Sequence, residues 1–195
     1  MTASSFYHYK VDVCCLSEVQ ILDSGSLEIK ILGANSHFNL YHSGHRDFSG
    51  RHGVVISLSK QANRVPLAWE PVNDWIVALY APISAVEQRE KETFYSQLQV
   101  LVERIRRRNL LIVAGDWNGR TGCGESTNSH VIGRFGLGSR CENGERPLNF
   151  AAQNQLFVTN TYFQHRNTHL LTWYFNDGHT ASQIDYILVG SLYPS

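Results

Sequence analysis

Leu110-Leu111-Ile112-Val113-Ala114-Gly115-Asp116-Trp117-Asn118-Gly119 is the stretch from which the fold is read. Five apolar residues run into a glycine, then into an acid and an amide two positions apart. A continuous apolar run closed by glycine predicts a strand buried on both faces. Positions i and i+2 of a strand share a side, so Asp116 and Asn118 should leave the strand's end pointing the same way. Gly115 would let the backbone turn without a side-chain clash. The same residues also fit an Asp/Asn-rich turn that merely closes a core strand, and carboxylates elsewhere in the chain tip the balance.

Upstream, residues 11–16 (Val-Asp-Val-Cys-Cys-Leu) predict a buried strand closed by Ser17-Glu18. A carboxylate ending an apolar strand is unusual unless it faces a cleft, a partner or a metal. Residues 26–32 predict a second strand before a turn at Gly33-Ala34-Asn35. Residues 41–52, dense in His, Arg and Gly, read as loop. Gly53–Ser59 and Trp75–Tyr80 predict further strands, the latter buried and ended by Ala81-Pro82. Ser84 with Glu87 three residues on has the form of a capping box. Phe94, Leu98, Leu101, Val102 and Ile105 then fall on one helical face. Arg104, Arg106, Arg107 and Arg108 close that helix. That basic run invites a nucleic-acid reading, but cations also suit a helix C-terminus, and the plainer reading is favoured.

Downstream, residues 119–145 predict a long glycine-rich functional loop. Residues 145–154 predict a short helix with Pro147 in its first turn. Strands are expected at 156–159, 170–175 and 182–189, with a turn at Asn176-Asp177-Gly178. Asp185 falls mid-run among apolar neighbours, where a charge needs a partner. Many strands with one long and one short helix give an α/β or α+β layered fold.

The chain has 195 residues, enough for a single domain over 1–195 with a full core. Lys+Arg 17 balance Asp+Glu 17, which argues mildly against nonspecific nucleic-acid binding. No apolar run is long enough to span a bilayer, and the first ten residues carry no secretory core, so no membrane partner is expected. Cys14, Cys15, Cys123 and Cys141 make no Cys-x-x-Cys pair. That points to a reducing, intracellular setting, nuclear or cytoplasmic, with Cys14 and Cys15 as small buried hydrophobes. The nine histidines are scattered singly, and most read as surface residues.

Three strands thus present a carboxylate against an apolar background, namely Glu18, Asp116 and Asp185, and Tyr80 ends a fourth. Carboxylates gathered at strand ends suit a hard divalent cation such as Mg2+. Such a cation can bind a phosphate oxygen and offset the charge developing in phosphodiester cleavage. Plainer roles also fit single residues: Tyr80 as a half-buried strand-end tyrosine, Trp173 as core, Asp185 as an ion-pair partner.

Leu16-Ser17-Glu18, Leu79-Tyr80-Ala81-Pro82, Gly115-Asp116-Trp117-Asn118, Leu171-Thr172-Trp173 and Gln183-Ile184-Asp185-Tyr186-Ile187-Leu188 occur in the order expected of the endonuclease/exonuclease/phosphatase superfamily. Gly50-Arg51-His52-Gly53-Val54, Asn143-Gly144-Glu145-Arg146 and Asn160-Thr161 narrow the likeness. The chain resembles the apurinic-endonuclease-like domain of non-LTR retrotransposons and the craniofacial-development-protein-like sequences related to it. The resemblance implies a DNase I-like fold, a two-sheet β-sandwich flanked by helices in four αββα layers. It implies Mg2+-dependent hydrolysis of DNA phosphodiesters leaving a 3′-hydroxyl, with Mn2+ as a possible substitute and no small-molecule cofactor. By the same resemblance the protein acts as a monomer. Glu18 resembles the metal-binding glutamate, and Asp116 the aspartate that orients or deprotonates the attacking water. Asn118 resembles the amide bound to the scissile phosphate, and Tyr80 the active-site tyrosine near it. Asp185 resembles the aspartate that orients a catalytic histidine, while Trp173 and Gln183 resemble substrate-facing residues.

The sequence departs from that pattern in three places. No Asn precedes Glu18, the first being Asn35. Residues 70–74 lead straight into the Tyr80 strand, where the family has a further strand. No Asp-His occurs, so Asp185 lacks the imidazole it would orient. The expectation is a domain incomplete at both ends, with exposed sheet edges. Loss of one acid/base group typically costs about 100- to 10,000-fold in rate, so impaired catalysis is expected. Three functions therefore compete: a DNA endonuclease, a catalytically dead remnant acting as a binding or nonfunctional fragment, and a small-molecule phosphatase or phosphodiesterase of the same superfamily.

Overall fold

The computed structural model describes residues 3–21, 23–43, 53–64, 75–105, 111–124, 130–176 and 179–190. The chain divides into two compact units, Met1–Asp74 and Trp75–Ser195, and each is described by itself.

The first unit holds helix α1 (Ala3–His8) and strands β1 (Val13–Val19), β2 (Ser24–Lys30), β3 (His37–Ser43) and β4 (Gly53–Ser59). All pairings are antiparallel, in the order β1-β4-β3-β2. Phe6 of α1 meets Phe38 of β3 edge-on at 5.8 Å, and with Ile31 they form a small core. β3 corrects the expected loop at 41–52. Phe38, Leu40 and His42 alternate with polar residues at the strand period, and the density of His and Asn hid it. Residues 44–52 of that expected loop lie outside the described residues. β1 is not buried as expected. Among the described residues it pairs only with β4, at the edge of this sheet, and Cys14 and Cys15 are half-buried and Val13 is exposed.

The second unit holds β5 (Trp75–Tyr80), α2 (Gln88–Ile105), β6 (Leu111–Asp116), α3 (Glu142–Gln153), β7 (Leu156–Val158), α4 (Asn167–Leu170), β8 (Trp173–Tyr174), β9 (Ala181–Ser182) and β10 (Asp185–Gly190). Its main sheet runs β5-β6-β10-β7. β5 and β6 are parallel and joined through α2, the crossover that parallel pairing requires. β10 is antiparallel to both β6 and β7. Leu98 and Val102 of α2, Leu148 and Phe150 of α3, and Val113, Val158 and Leu188 of the sheet build one core around Trp117.

Several boundaries differ from the expectation. α2 starts at Gln88, so Ser84 and Glu87 precede it and form no capping box; the Lys91 ammonium instead donates to the Ser84 carbonyl at 2.7 Å. Leu101 is exposed, whereas Leu98 and Val102 are buried. Arg104 is in the last turn of α2, while Arg106, Arg107 and Arg108 lie outside the described residues, as do 65–74. α3 starts at Glu142, which places Pro147 past the first turn, where it deprives the Asn143 carbonyl of a helical donor. The expected strand at 170–175 is instead the end of α4 followed by the two-residue β8. β8 pairs only with β9, and Trp173, Tyr174 and Phe175 are exposed. Asp177 and Gly178 lie outside the described residues. Asp185 opens β10 rather than lying mid-strand.

Candidate active site

The register of the second sheet builds a site before any side chain is considered. Tyr80, the last residue of β5, pairs with Asp116, the last of β6. Asp116 pairs in turn with Asp185, the first of β10. Directly paired residues share one side of a sheet, so Tyr80, Asp116 and Asp185 form a row across three adjacent strands. The main chain holds this row at both sides. Ala81 N–H donates to the Asp116 carbonyl at 2.8 Å, and Trp117 N–H to the Ile184 carbonyl at 2.9 Å.

Gly115 is required for a reason other than a turn, since it lies within β6. A Cβ there would meet the Leu79 carbonyl oxygen at 2.0 Å, so the close approach of β5 excludes any side chain. The turn comes later, at Asn118, whose φ is 49°. Its N–H donates to Asp116 Oδ1 at 2.7 Å, an Asx-type turn. The alternation argument therefore stops at Asp116. What orients Asn118 is its own amide, which donates to the Ala81 carbonyl at 2.7 Å. Trp117 fixes the turn from beneath, fully buried with its indole N–H donating to the Tyr186 carbonyl at 3.1 Å.

Three more polar residues support the row, and no role was assigned to them from sequence. Asn143 Nδ2 donates to the Asn118 carbonyl at 2.6 Å and the Pro82 carbonyl at 3.2 Å, tying the segments after β5 and β6 to the start of α3. Thr172 Oγ1 accepts the N–H groups of Ile184 and Asp185 at 3.1 and 3.2 Å. Asn160 Nδ2 donates to the Asp185 carbonyl at 3.0 Å, and its Oδ1 accepts Ile187 N–H at 3.3 Å. Asn143, Thr172 and Asn160 all stood inside the quoted motifs. Thr172 gave the signal of a polar residue between apolar ones, whereas Asn143 and Asn160 stand among polar neighbours and cannot be told from surface positions by sequence.

Gln183 is buried, and its Oε1 accepts Leu137 N–H at 3.3 Å, which pins the glycine-rich loop. Tyr186 donates to the Gln183 carbonyl at 2.7 Å and accepts Thr121 N–H at 3.1 Å. Burial pushes the Tyr186 hydroxyl pKa up, and the hydrogen bonds with Thr121 oppose that shift. Trp173 is exposed, with its ring 5.8 Å from that of Phe175.

Glu18 belongs to the first unit. It is exposed within β1, at φ 56°, where the pairing with β4 slips between Leu16 and Val19. Such a bulge re-aims a side chain, and a non-glycine residue held at positive φ is a candidate functional position. Gly53 permits it, because a Cβ there would meet the Val19 carbonyl oxygen at 2.1 Å.

Among the described residues, no three His, Cys, Asp or Glu side chains cluster as a metal site. The donor chemistry of the row nevertheless fits Mg2+, which is held by one or two carboxylates together with waters and substrate phosphate oxygens. Two like charges directly opposite each other also repel unless something offsets them.

The Endonuclease/Exonuclease/phosphatase family matches residues 3–193. The chain belongs to that family. It is similar to Craniofacial development protein 2 of Bos taurus, 31% identical over 192 residues, covering 91% of this chain and 31% of the relative. The protein of the same name from Tragulus javanicus is 30% identical over 192 residues, covering 91% of this chain and 32% of the relative. The chain thus spans about a third of the length of the curated relatives it matches. Members of the family are in general metal-dependent phosphodiester hydrolases that use a divalent cation. The mixed α/β architecture, with two four-stranded sheets and helices, is consistent with the family's DNase I-like fold. Among the described residues, no helix is long and apolar enough to cross a membrane.

Proposed function

We propose that this chain is an endonuclease domain hydrolysing DNA phosphodiesters with Mg2+ or Mn2+, acting as a monomer and with impaired catalysis. In this reading residues 1–195 form one domain whose two four-stranded sheets belong to the two-sheet sandwich. The observation that carries the proposal is the register row of Tyr80, Asp116 and Asp185, closed by the Asn118 turn. Asp116 is 7% exposed, so its carboxylate acts with little competing water, where electrostatic effects are large. It takes the proton of the attacking water. The Asn118 amide and the Tyr80 hydroxyl donate to the scissile phosphate, and Asp185 holds the negative charge of the row opposite Asp116. Asp116 and Asp185 are the paired carboxylates available to hold the cation, and Glu18 is assigned a metal-binding role by the family resemblance alone. When bound, that cation would neutralise charge on a phosphate oxygen. Trp173 offers an exposed aromatic face to a base, and Gln183 shapes the substrate side through the loop at Leu137.

A plasmid-nicking assay with Mg2+, on the chain and on Asp116→Ala, tests the proposal. The expected result is cation-dependent nicking that the substitution lowers by about 100- to 10,000-fold. Absence of nicking by the unsubstituted chain would leave the dead-remnant reading. Release of phosphate from nucleotides without nicking would favour the small-molecule reading.

A further inference from the structure

β7 ends at Val158, which pairs with Leu188 of β10. Beyond that point β10 continues towards the carboxylate row through Ile187, Tyr186 and Asp185, while the chain after β7 turns away in a 3-10 helix over Thr159–Thr161. The edge of β10 that β7 would have covered is therefore left to other partners. Thr159 Oγ1 donates to the Ile187 carbonyl at 2.9 Å. The Asn160 carboxamide then does what a strand residue would do. Its NH2 donates to the Asp185 carbonyl and its oxygen accepts Ile187 N–H, at 3.0 and 3.3 Å. One side-chain amide thus supplies the donor for one missing rung, at Asp185, and the acceptor for another, at Ile187.

We infer that Asn160 is a positioning residue, a side-chain surrogate for the rungs that β7 leaves unmade, which holds Asp185 in register opposite Asp116. The catalytic consequence rests on the proposed nuclease reading; the structural one does not. Asn, not Asp or Leu, is needed because the rungs require one donor and one acceptor. A carboxylate accepts from Ile187 N–H but cannot donate to the Asp185 carbonyl, and Leu does neither.

Two variants and two readouts test this. Hydrogen exchange at the Ile187 amide follows the rung whether or not the protein cleaves DNA. In Asn160→Leu that amide is expected to exchange about tenfold faster, the factor matching one hydrogen bond's net contribution. In Asn160→Asp it is expected to stay slow. Exchange at Val113 of β6 should not change in either variant, which separates loss of one rung from general loosening. An Ile187 amide that is unaffected in Asn160→Leu would overturn the inference. In cleavage, both variants are expected to lower kcat by roughly 100-fold through misplacement of Asp185, with KM unchanged. A loss confined to KM, or full kcat in Asn160→Asp, would also overturn it. If the unsubstituted chain does not nick DNA, the nuclease reading fails, and the Ile187 amide alone decides for or against the surrogate rung.

Discussion

The two sheets hold their acidic residues in opposite ways. Asp116 and Asp185 lie on β6 and β10, the inner strands of the order β5-β6-β10-β7, over a core in which Trp117, Val102, Val113, Leu148 and Leu188 are fully buried. Glu18 lies on β1, an edge strand of the order β1-β4-β3-β2, in a unit where Phe6, Ile31 and Phe38 form a small buried cluster and Val55 and Leu58 of β4 are also buried. Asp116 is flanked by paired strands on both sides, and Asp185 by β6 on one side and the Asn160 side chain on the other, which leaves little freedom. The edge strand fixes its carboxylate through a bulge. The contrast shows two ways of building a site of fixed geometry, one by flanking strands and one by a local departure from strand geometry.

The largest effect should come from breaking the thicker core. Trp117→Ala removes a fully buried indole and its hydrogen bond to Tyr186, and should cost about 3–5 kcal/mol in urea denaturation. Phe38→Ala, in the thinner core, should release the amides of β2 and β3 to exchange while those of β6 and β10 stay protected. Equal loss of protection in both sheets would show that the two units do not differ in this way.

A smaller effect is expected at the bulge. Gly53→Ala puts a Cβ at 2.1 Å from the Val19 carbonyl oxygen, so β1 and β4 must separate locally. We expect a stability loss of about 1–3 kcal/mol, with amide exchange accelerated at Val19 and Val55 and unchanged in the second unit. A variant as stable as the parent, with Glu18 unmoved by NMR shift, would show that the bulge does not depend on glycine.

The same contrast explains what could be read from sequence. Trp75–Tyr80 is legible with its full bounds because its apolar run is continuous, and Gly53–Ser59 because Val54, Val55, Ile56 and Leu58 outweigh its serines. β3 was missed because His and Asn side chains occupy its polar positions, and β8 was over-read because Trp173, Tyr174 and Phe175 are apolar yet exposed. Apolar pattern reports burial only when a sheet has something packed on it. Within the site, Tyr80, Asp116 and Asp185 were all legible as residues ending or interrupting apolar runs. Their being mutual neighbours was not, because register is a tertiary property. Asn160, Thr172 and Asn143 act through main-chain groups of other segments, and no periodicity encodes such a contact.

The smallest effect separates the units by pH. Burial, with Cys14 beside it, pushes the Cys15 thiol from 9.0 up to about 12, and burial also raises Cys14. In the second unit burial raises Tyr95 and Tyr186 from 10.0. In each case the folded state keeps a proton that the unfolded chain releases. Stability from these groups is therefore complete below the unfolded pKa and falls as pH rises through the interval up to the folded one. For the cysteines of β1 that loss begins near pH 9, and for the tyrosines near pH 10. Amide exchange, corrected for base catalysis, should therefore show β1 and β4 loosening at lower pH than β6 and β10. Cys15→Ala removes the larger of the two thiol shifts and should flatten the first decline without touching the second. If both sheets loosen together, or if the substitution leaves the first decline as steep, then the thiol does not set the alkaline limit of the thinner unit. Some other group facing β1 would then have to be releasing the proton.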